Sequence, residues 1–184
     1  MEVFQIALID KASGAQAPYF DYSAKNIITY TLWEHLVQIA MARTTGFIPG
    51  PSWSLRAAHL KAHDVAVYFV LDASKSIARG AGVRKTPGPN DGGLTAQTSS
   101  GVVCEVYVDG NMPARRLANM AFHEIMHAKL DVGARMIANL HTQGGGGLAT
   151  PPTNEWTPLT QGNIRLMSKH LFRKVPTYTG GMGA

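Results

Sequence analysis

The sequence predicts one α+β domain, on three observations. Three short runs rich in β-branched and aromatic residues read as strands: VFQIALI (3–9), VAVYFVLD (65–72) and GVVCEVYVDG (101–110). Between the first two, residues 23–43 repeat apolar side chains at helical spacing. After the third, residues 113–131 form a second helical run with no glycine or proline beyond its first residue. A chain of 184 residues suffices for one sizeable core and is short for two, so residues 1–184 are expected to be one domain.

The elements follow in order. The first strand leads into a loop rich in Ala, Gly and Pro that ends in Tyr19-Phe20-Asp21-Tyr22. Ser23 is a suitable N-cap for the long helix, along which Ile27, Ile28, Leu32, Leu36, Ile39 and Ala40 recur. Gly46 and Pro49-Gly50-Pro51 end it. Residues 53–63 predict a short helix, and the strand at 65–72 follows. Residues 73–101, rich in Gly, Pro and Ser, predict a long connection: a functional loop, a lid or a disordered spur. The strand at 101–110 is closed by a turn, and Asn111-Met112-Pro113 opens the second long helix. Proline suits a first helical turn because its missing N–H has no partner there. Gly133 is placed as the left-handed residue after that helix. A short helical stretch over 134–140 precedes the loop HTQGGGGLATPP. Residues 160–173 predict a last helix, with Ile164, Leu166, Met167 and Leu171 apolar and Gly162 weakening its start. The end of the chain, 174–184, is expected to be a flexible tail.

Composition narrows the function classes. With 45% hydrophobic and 16% charged residues, the chain reads as a soluble globular domain. The net charge of +5 would suit an acidic partner, but the basic residues occur only as scattered pairs such as Arg84-Lys85, Arg115-Arg116 and Arg173-Lys174. Nucleic-acid binding calls for a clustered stripe or an aromatic-basic platform, so no nucleic-acid partner is expected. No apolar run approaches the roughly 20 residues of a spanning helix, so no membrane partner is expected either. The stretch MEVFQIALIDKASG has no basic run ahead of an apolar core. The protein is therefore expected to be cytoplasmic, or exported without a Sec signal peptide. Cys104 stands alone in an apolar run, which excludes a disulfide framework and a multi-Cys zinc site, and reads as a buried small hydrophobe.

The chemistry lies in AFHEIMHAKLDVG, residues 121–133. In a chain with these numbers of His and Glu, a chance HExxH has a probability of about 0.7%. At about 100° per residue, His123 and His127 lie about 40° apart on one helix face, so their imidazoles can converge on one cation. Glu124 sits between that face and the next, able to reach a water on the cation without ligating it. Leu117, Ala121, Ile125 and Ala128 form an apolar stripe nearly opposite. Such a helix packs one side on a core and lines a cleft with the other.

HEIMH set on a helix behind an extended segment resembles the zincin metallopeptidases. That resemblance implies a zincin-like fold: a small twisted, mostly antiparallel sheet whose edge strand runs beside the substrate, a backing helix and an active-site helix. The corresponding parts here are residues 23–43, the strands at 65–72 and 103–108, and the helix at 113–131. It also implies a zinc metalloprotease. Zn²⁺ held by His123 and His127 through Nε2, with one further protein ligand, would keep a position open for water and lower its pKa toward about 7. Glu124 would be the catalytic general base. The substrate would be a protein or peptide.

The chain departs from the long metzincin motif, which would place Gly at 130 and His or Asp at 133, where Leu130 and Gly133 stand. The third ligand therefore has four candidates: His141, Glu155, Asp131 and His170. His141 is preferred, because it follows the chain reversal after Gly133 and opens a Gly-rich loop. Asp131, one turn beyond His127, reads as a group steering a ligand histidine or as a surface residue. A carboxylate at a helix C-terminus is disfavoured by the dipole, so a nearby cation is expected. His59 and His63 lack the intervening glutamate and read as surface or packing residues. Gly144 to Gly147 reads as a flexible loop, with no strand or Gly-Lys-Ser/Thr to make a phosphate cradle. Tyr107, Tyr178 and His170 are candidate oxyanion donors. A bacterial effector or toxin domain fits the small size, and two rival functions remain open: a closed, non-catalytic zinc-binding protein, and a basic interaction module without metal. Oligomeric state has no signature in this sequence.

Overall fold

A computed structural model describes residues 2–43, 48–85, 87, 91–109, 112–133, 135–152 and 154–182. Strand β1 (Ile6–Lys11) is followed by helix α1 (Tyr22–Arg43), whose first turn is capped by Asp21 rather than Ser23: the Asp21 carboxylate accepts from Ala24 N–H at 2.9 Å. Ile28, Leu32, Leu36 and Ile39 lie along its inner face and have no exposed surface. That face carries the chain back across the sheet, so strand β2 (Val65–Val70) lies parallel to β1, with Ile6 opposite Val65. A parallel pair needs such a long crossover, and α1 supplies it.

Helix α2 (Ile77–Gly80) and the hairpin of β3 (Gly93–Thr98) and β4 (Gly101–Tyr107) come next. The strand order is β1-β2-β4-β3, with β4 parallel to β2 and β3 antiparallel to β4. The sheet is α+β in setting but mixed in direction. The mostly antiparallel sheet that the resemblance implied is corrected: only the β3–β4 pairing is antiparallel, because β1–β2 and β2–β4 are joined by crossovers and only β3–β4 by a hairpin. Every residue of β2 is buried, as a central strand covered on both faces must be. Val65, Val67 and Phe69 point to the helical layer with Cys104 and Val106, whereas Ala66, Tyr68 and Val70 face Leu94, Ala96 and Val103 on the other side.

Residues 73–101 are no featureless connection. Glu105 of β4 is fully buried and accepts from Ile77 N–H at 2.7 Å, Ala78 N–H at 3.1 Å, the Ser76 hydroxyl and the Tyr107 hydroxyl. These bonds pin α2 to the outer face of the sheet. β3 escaped notice because its polar Thr95, Gln97 and Thr98 hide an ordinary alternation in which Leu94, Ala96 and Thr98 are the buried members.

Helix α3 (Ala114–Leu130) follows β4 and packs against the sheet and α1. Helix α4 (Leu140–Gln143) replaces the short helix expected at 134–140, since the Asn139 carboxamide caps its start by accepting from Thr142 N–H. Helix α5 (Gln161–His170) closes the helical layer, opened by a reciprocal cap between Thr160 and Asn163. The helix expected at 53–63 is reduced to a single 3₁₀ turn, Ala57–His59. The expected flexible tail is tied down over 175–178: Val102 N–H donates to Pro176 C=O and Tyr178 N–H donates to Val102 C=O, both at 2.8 Å. The expected helix stop at Gly46, the Asn111 start of the second long helix, Ala134 and the last two residues lie outside the described residues.

Candidate metal centre

Helix α3 buries more than the expected stripe. Leu117, Ala121, Ile125 and Ala128 are almost wholly enclosed, and so are His123 and Glu124 at 2% and 4% exposure. Their face is walled by β3 on one side and by residues 139–150 on the other. Gly133, at φ 92°, turns the chain out of the helix toward α4.

That turn brings His141 over the helix pair. The three Nε2 atoms form a triangle: 3.0 Å from His123 to His127, 3.1 Å from His127 to His141 and 3.4 Å from His123 to His141. Tetrahedral nitrogen ligands at 2.0–2.1 Å from zinc stand about 3.3 Å apart, so the triangle has the right size. Among the described residues this is the only group of three such side chains able to share an ion.

The hydrogen bonds behind the rings fix what the triangle presents. His123 Nδ1–H donates to Leu148 C=O at 2.7 Å, and His127 Nδ1–H donates to both Asp131 carboxylate oxygens at 2.9 Å. With the proton on Nδ1, each Nε2 carries a bare lone pair. Two lone pairs aimed at each other across 3.0 Å repel unless a cation lies between them, so these residues fit a metal ion. Burial, followed by the electrostatic influence of the adjacent His127 ring, pushes the His123 imidazole down to about 4, which keeps it neutral and ligand-competent at neutral pH. Burial also lowers His141.

Asp131 steers His127 and does one thing more: its carboxylate accepts from Leu140 N–H at 3.3 Å, tying the end of α3 to the start of the helix that carries His141. The cation expected near this carboxylate is Arg173. Its guanidinium donates to Lys129 C=O at 3.0 Å and to Arg135 C=O, and its charge is within reach of Asp131.

Glu124 points into the same cavity, a space of about 330 Å³ lined by the three histidines, Gly92, Gly93 and Lys85 among others. Its Oε2 accepts from Thr95 Oγ1 at 2.6 Å, and burial pushes the carboxyl up to about 7 against the pull of His127 and Thr95. Gly93 leaves it room: a Cβ there would lie 2.7 Å from the Glu105 C=O of β4, 2.8 Å from Glu124 Oε1 and 2.9 Å from its Cγ. Gly93→Ala is expected to push β3 away from β4 and turn the Glu124 carboxylate aside, lowering any hydrolytic rate about tenfold or more while metal content stays constant. Parallel metal analysis and rate measurement check this, and an unchanged rate would show that the contact is unimportant.

The other candidates lie elsewhere. The backbone of Glu155 serves Asn119, and its side chain takes no part in the cluster; His170 stands apart on α5. Tyr107 is spent on Glu105, and Tyr178 packs against Tyr68 on the far face of the sheet, so neither Tyr107, Tyr178 nor His170 lines the cavity. His63 is buried against Val3 C=O at 2.8 Å and His59 sits in the 3₁₀ turn, so that pair shares no face. Cys104 is fully buried, with its thiol pushed up to about 12 by that burial, leaving no reactive thiolate. Sequence reasoning missed Thr95 and Gly93, whose strand was hidden, and Leu148, which acts through a backbone carbonyl that any residue type could offer. No helix of the described residues is long and apolar enough to cross a membrane. Compared with known proteins, the chain matches no family model, no curated protein and no solved structure.

Proposed function

We propose that this chain is a zinc-dependent hydrolase of peptide bonds, with His123, His127 and His141 as metal ligands and Glu124 as general base. The observation that carries the reading is the convergence of three Nε2 atoms, two with their lone pairs fixed from behind, beside a carboxylate in one open cavity. A zinc ion held there would lower the pKa of a water bound to it and polarise a carbonyl. The described residues provide three ligands and an open side rather than the four of a closed structural site, which favours catalysis over simple storage.

Each residue then has a separable task. Asp131 and the Leu148 carbonyl hold the two helix imidazoles in the ligating tautomer. Glu124, oriented by Thr95, takes a proton from the attacking water and returns it to the leaving amine. The peptide class of substrate is supported by β3. Among the described residues it pairs only with β4, and the bond from Tyr107 N–H to Gly92 C=O at 2.9 Å sets the phase of the ladder. Gly93, Thr95 and Gln97 therefore turn their N–H and C=O groups outward along the cavity edge, where an extended peptide can add as a further strand.

Metal analysis of the purified chain, together with cleavage of an unbiased peptide library, tests the reading. Stoichiometric zinc and chelator-sensitive cleavage are expected. A zinc-loaded protein that cuts no peptide would leave a binding site without this activity.

A further inference from the structure

The run Gly144 to Gly147 looks like slack chain, yet it has a defined course. Gly145, Gly146 and Gly147 all have positive φ, at 82°, 68° and 55°. Glycine loses more conformational freedom on ordering than any other residue, so something must hold this shape. Thr160 Oγ1 donates to Gly145 C=O at 3.0 Å and Leu148 N–H to Pro158 C=O at 3.1 Å, but the side chain with most bonds to the loop is Asn163, in the first turn of α5 and without exposed surface. Its Nδ2 donates to Gly144 C=O at 2.7 Å and to Gly146 C=O at 2.9 Å, while its Oδ1 accepts from Leu148 N–H at 3.2 Å and Thr160 N–H at 3.0 Å. All but the last of these bonds go to the loop.

Both ends of that loop belong to the histidine cluster. Gly144 is the residue at which α4, carrying His141, ends. Leu148 provides the carbonyl that accepts from His123 Nδ1–H. We propose that Asn163 is a positioning residue for the metal centre: by gripping residues 144–148 it sets the direction and tautomer of His123 and seats the helix that presents His141. The inference rests on the metal-centre reading and is independent of what the site hydrolyses.

Asn163→Asp separates this role from the capping of α5. The new side chain keeps an oxygen for Thr160 and Leu148 N–H, and a negative charge in the first turn favours the helix. Its second oxygen, however, meets the carbonyls of Gly144 and Gly146, where an amide donated. Gly146→Ala is an independent variant: at φ 68° and ψ −156° only glycine is comfortable, while the space around it is open. It strains the loop from its own side, with no substitution in α5 or at any ligand.

Zinc is titrated into the metal-free wild type and each variant against a competing chelator, and the histidine ring signals are recorded by proton–nitrogen NMR. Both variants are expected to keep their helical far-ultraviolet signal, to bind zinc about tenfold or more weakly, and to lose the hydrogen-bonded Nδ1–H signal of His123. Wild-type affinity together with an intact His123 signal, in either folded variant, overturns the proposal while the metal-centre reading stands. A wild type that takes up no zinc overturns both.

Discussion

Glu124→Gln is expected to abolish peptide cleavage, by about 10³-fold, while zinc content and unfolding temperature hold. General acid–base groups typically contribute 10²–10⁴-fold, and that is the role proposed for this residue. The imidazole triangle is complete without it, so the metal has no need of its oxygen. An amide is the same size as the carboxylate and still accepts from Thr95 Oγ1, so the side chain stays where it is. It cannot take a proton from water. Burying a neutral amide is also easier than burying a charge, which leaves no reason for the fold to weaken. Product analysis by mass spectrometry, with metal content measured on the same sample, checks the result. A zinc-loaded Gln variant that cleaves as fast as the wild type removes Glu124 from the mechanism.

His141→Ala is expected to weaken zinc binding by more than about 100-fold with little effect on the metal-free fold. Loss of a partner behind a ligand typically costs 10–100-fold, and loss of a ligand lies above that range. The His141 ring is exposed, and among the described residues its polar approaches are to the other two imidazoles, so its removal opens no core cavity. Among the described residues no substitute is within reach. Asp131 is committed to His127 and Leu140, and neither Glu155 nor His170 belongs to the cluster. Competition titration gives the affinity, and a thermal melt of the metal-free protein gives the stability. Undiminished zinc binding would move the third ligand to another residue.

The candidate site was legible where its chemistry is local. HEIMH lies on a helix whose propensity and periodicity are strong, so the approach of His123 to His127 follows from helix geometry alone. Asp131 lies one turn further on, and its bond to His127 follows from the same geometry. His141 was a preference among four candidates, because a ligand beyond a chain reversal depends on the direction in which the chain returns. The partner of His123 was not legible at all: a carbonyl has no residue identity, and the glycine run that delivers it reads as slack until Asn163 is seen holding it.

The fold divides in the same way. The backing helix was bounded to within one residue because Ile28, Leu32, Leu36 and Ile39 repeat at its own period, and β2 to within two because six consecutive apolar residues permit burial on both faces. The direction of the strands was taken from the resemblance and was misread, although the unbroken apolar run of β2 is what a parallel strand covered on both faces carries. Local sequence thus determined the paired imidazoles, the neighbouring carboxylate and the elements that carry them, all of which depend on residues within a turn or two of one another. Tertiary structure alone decided that β3 would be the free edge beside Glu124, that His141 would close the triangle and that Asn163 would anchor the loop behind His123. These are contacts between segments distant in the chain, and their geometry is set by how the layers pack rather than by the propensity of any one segment.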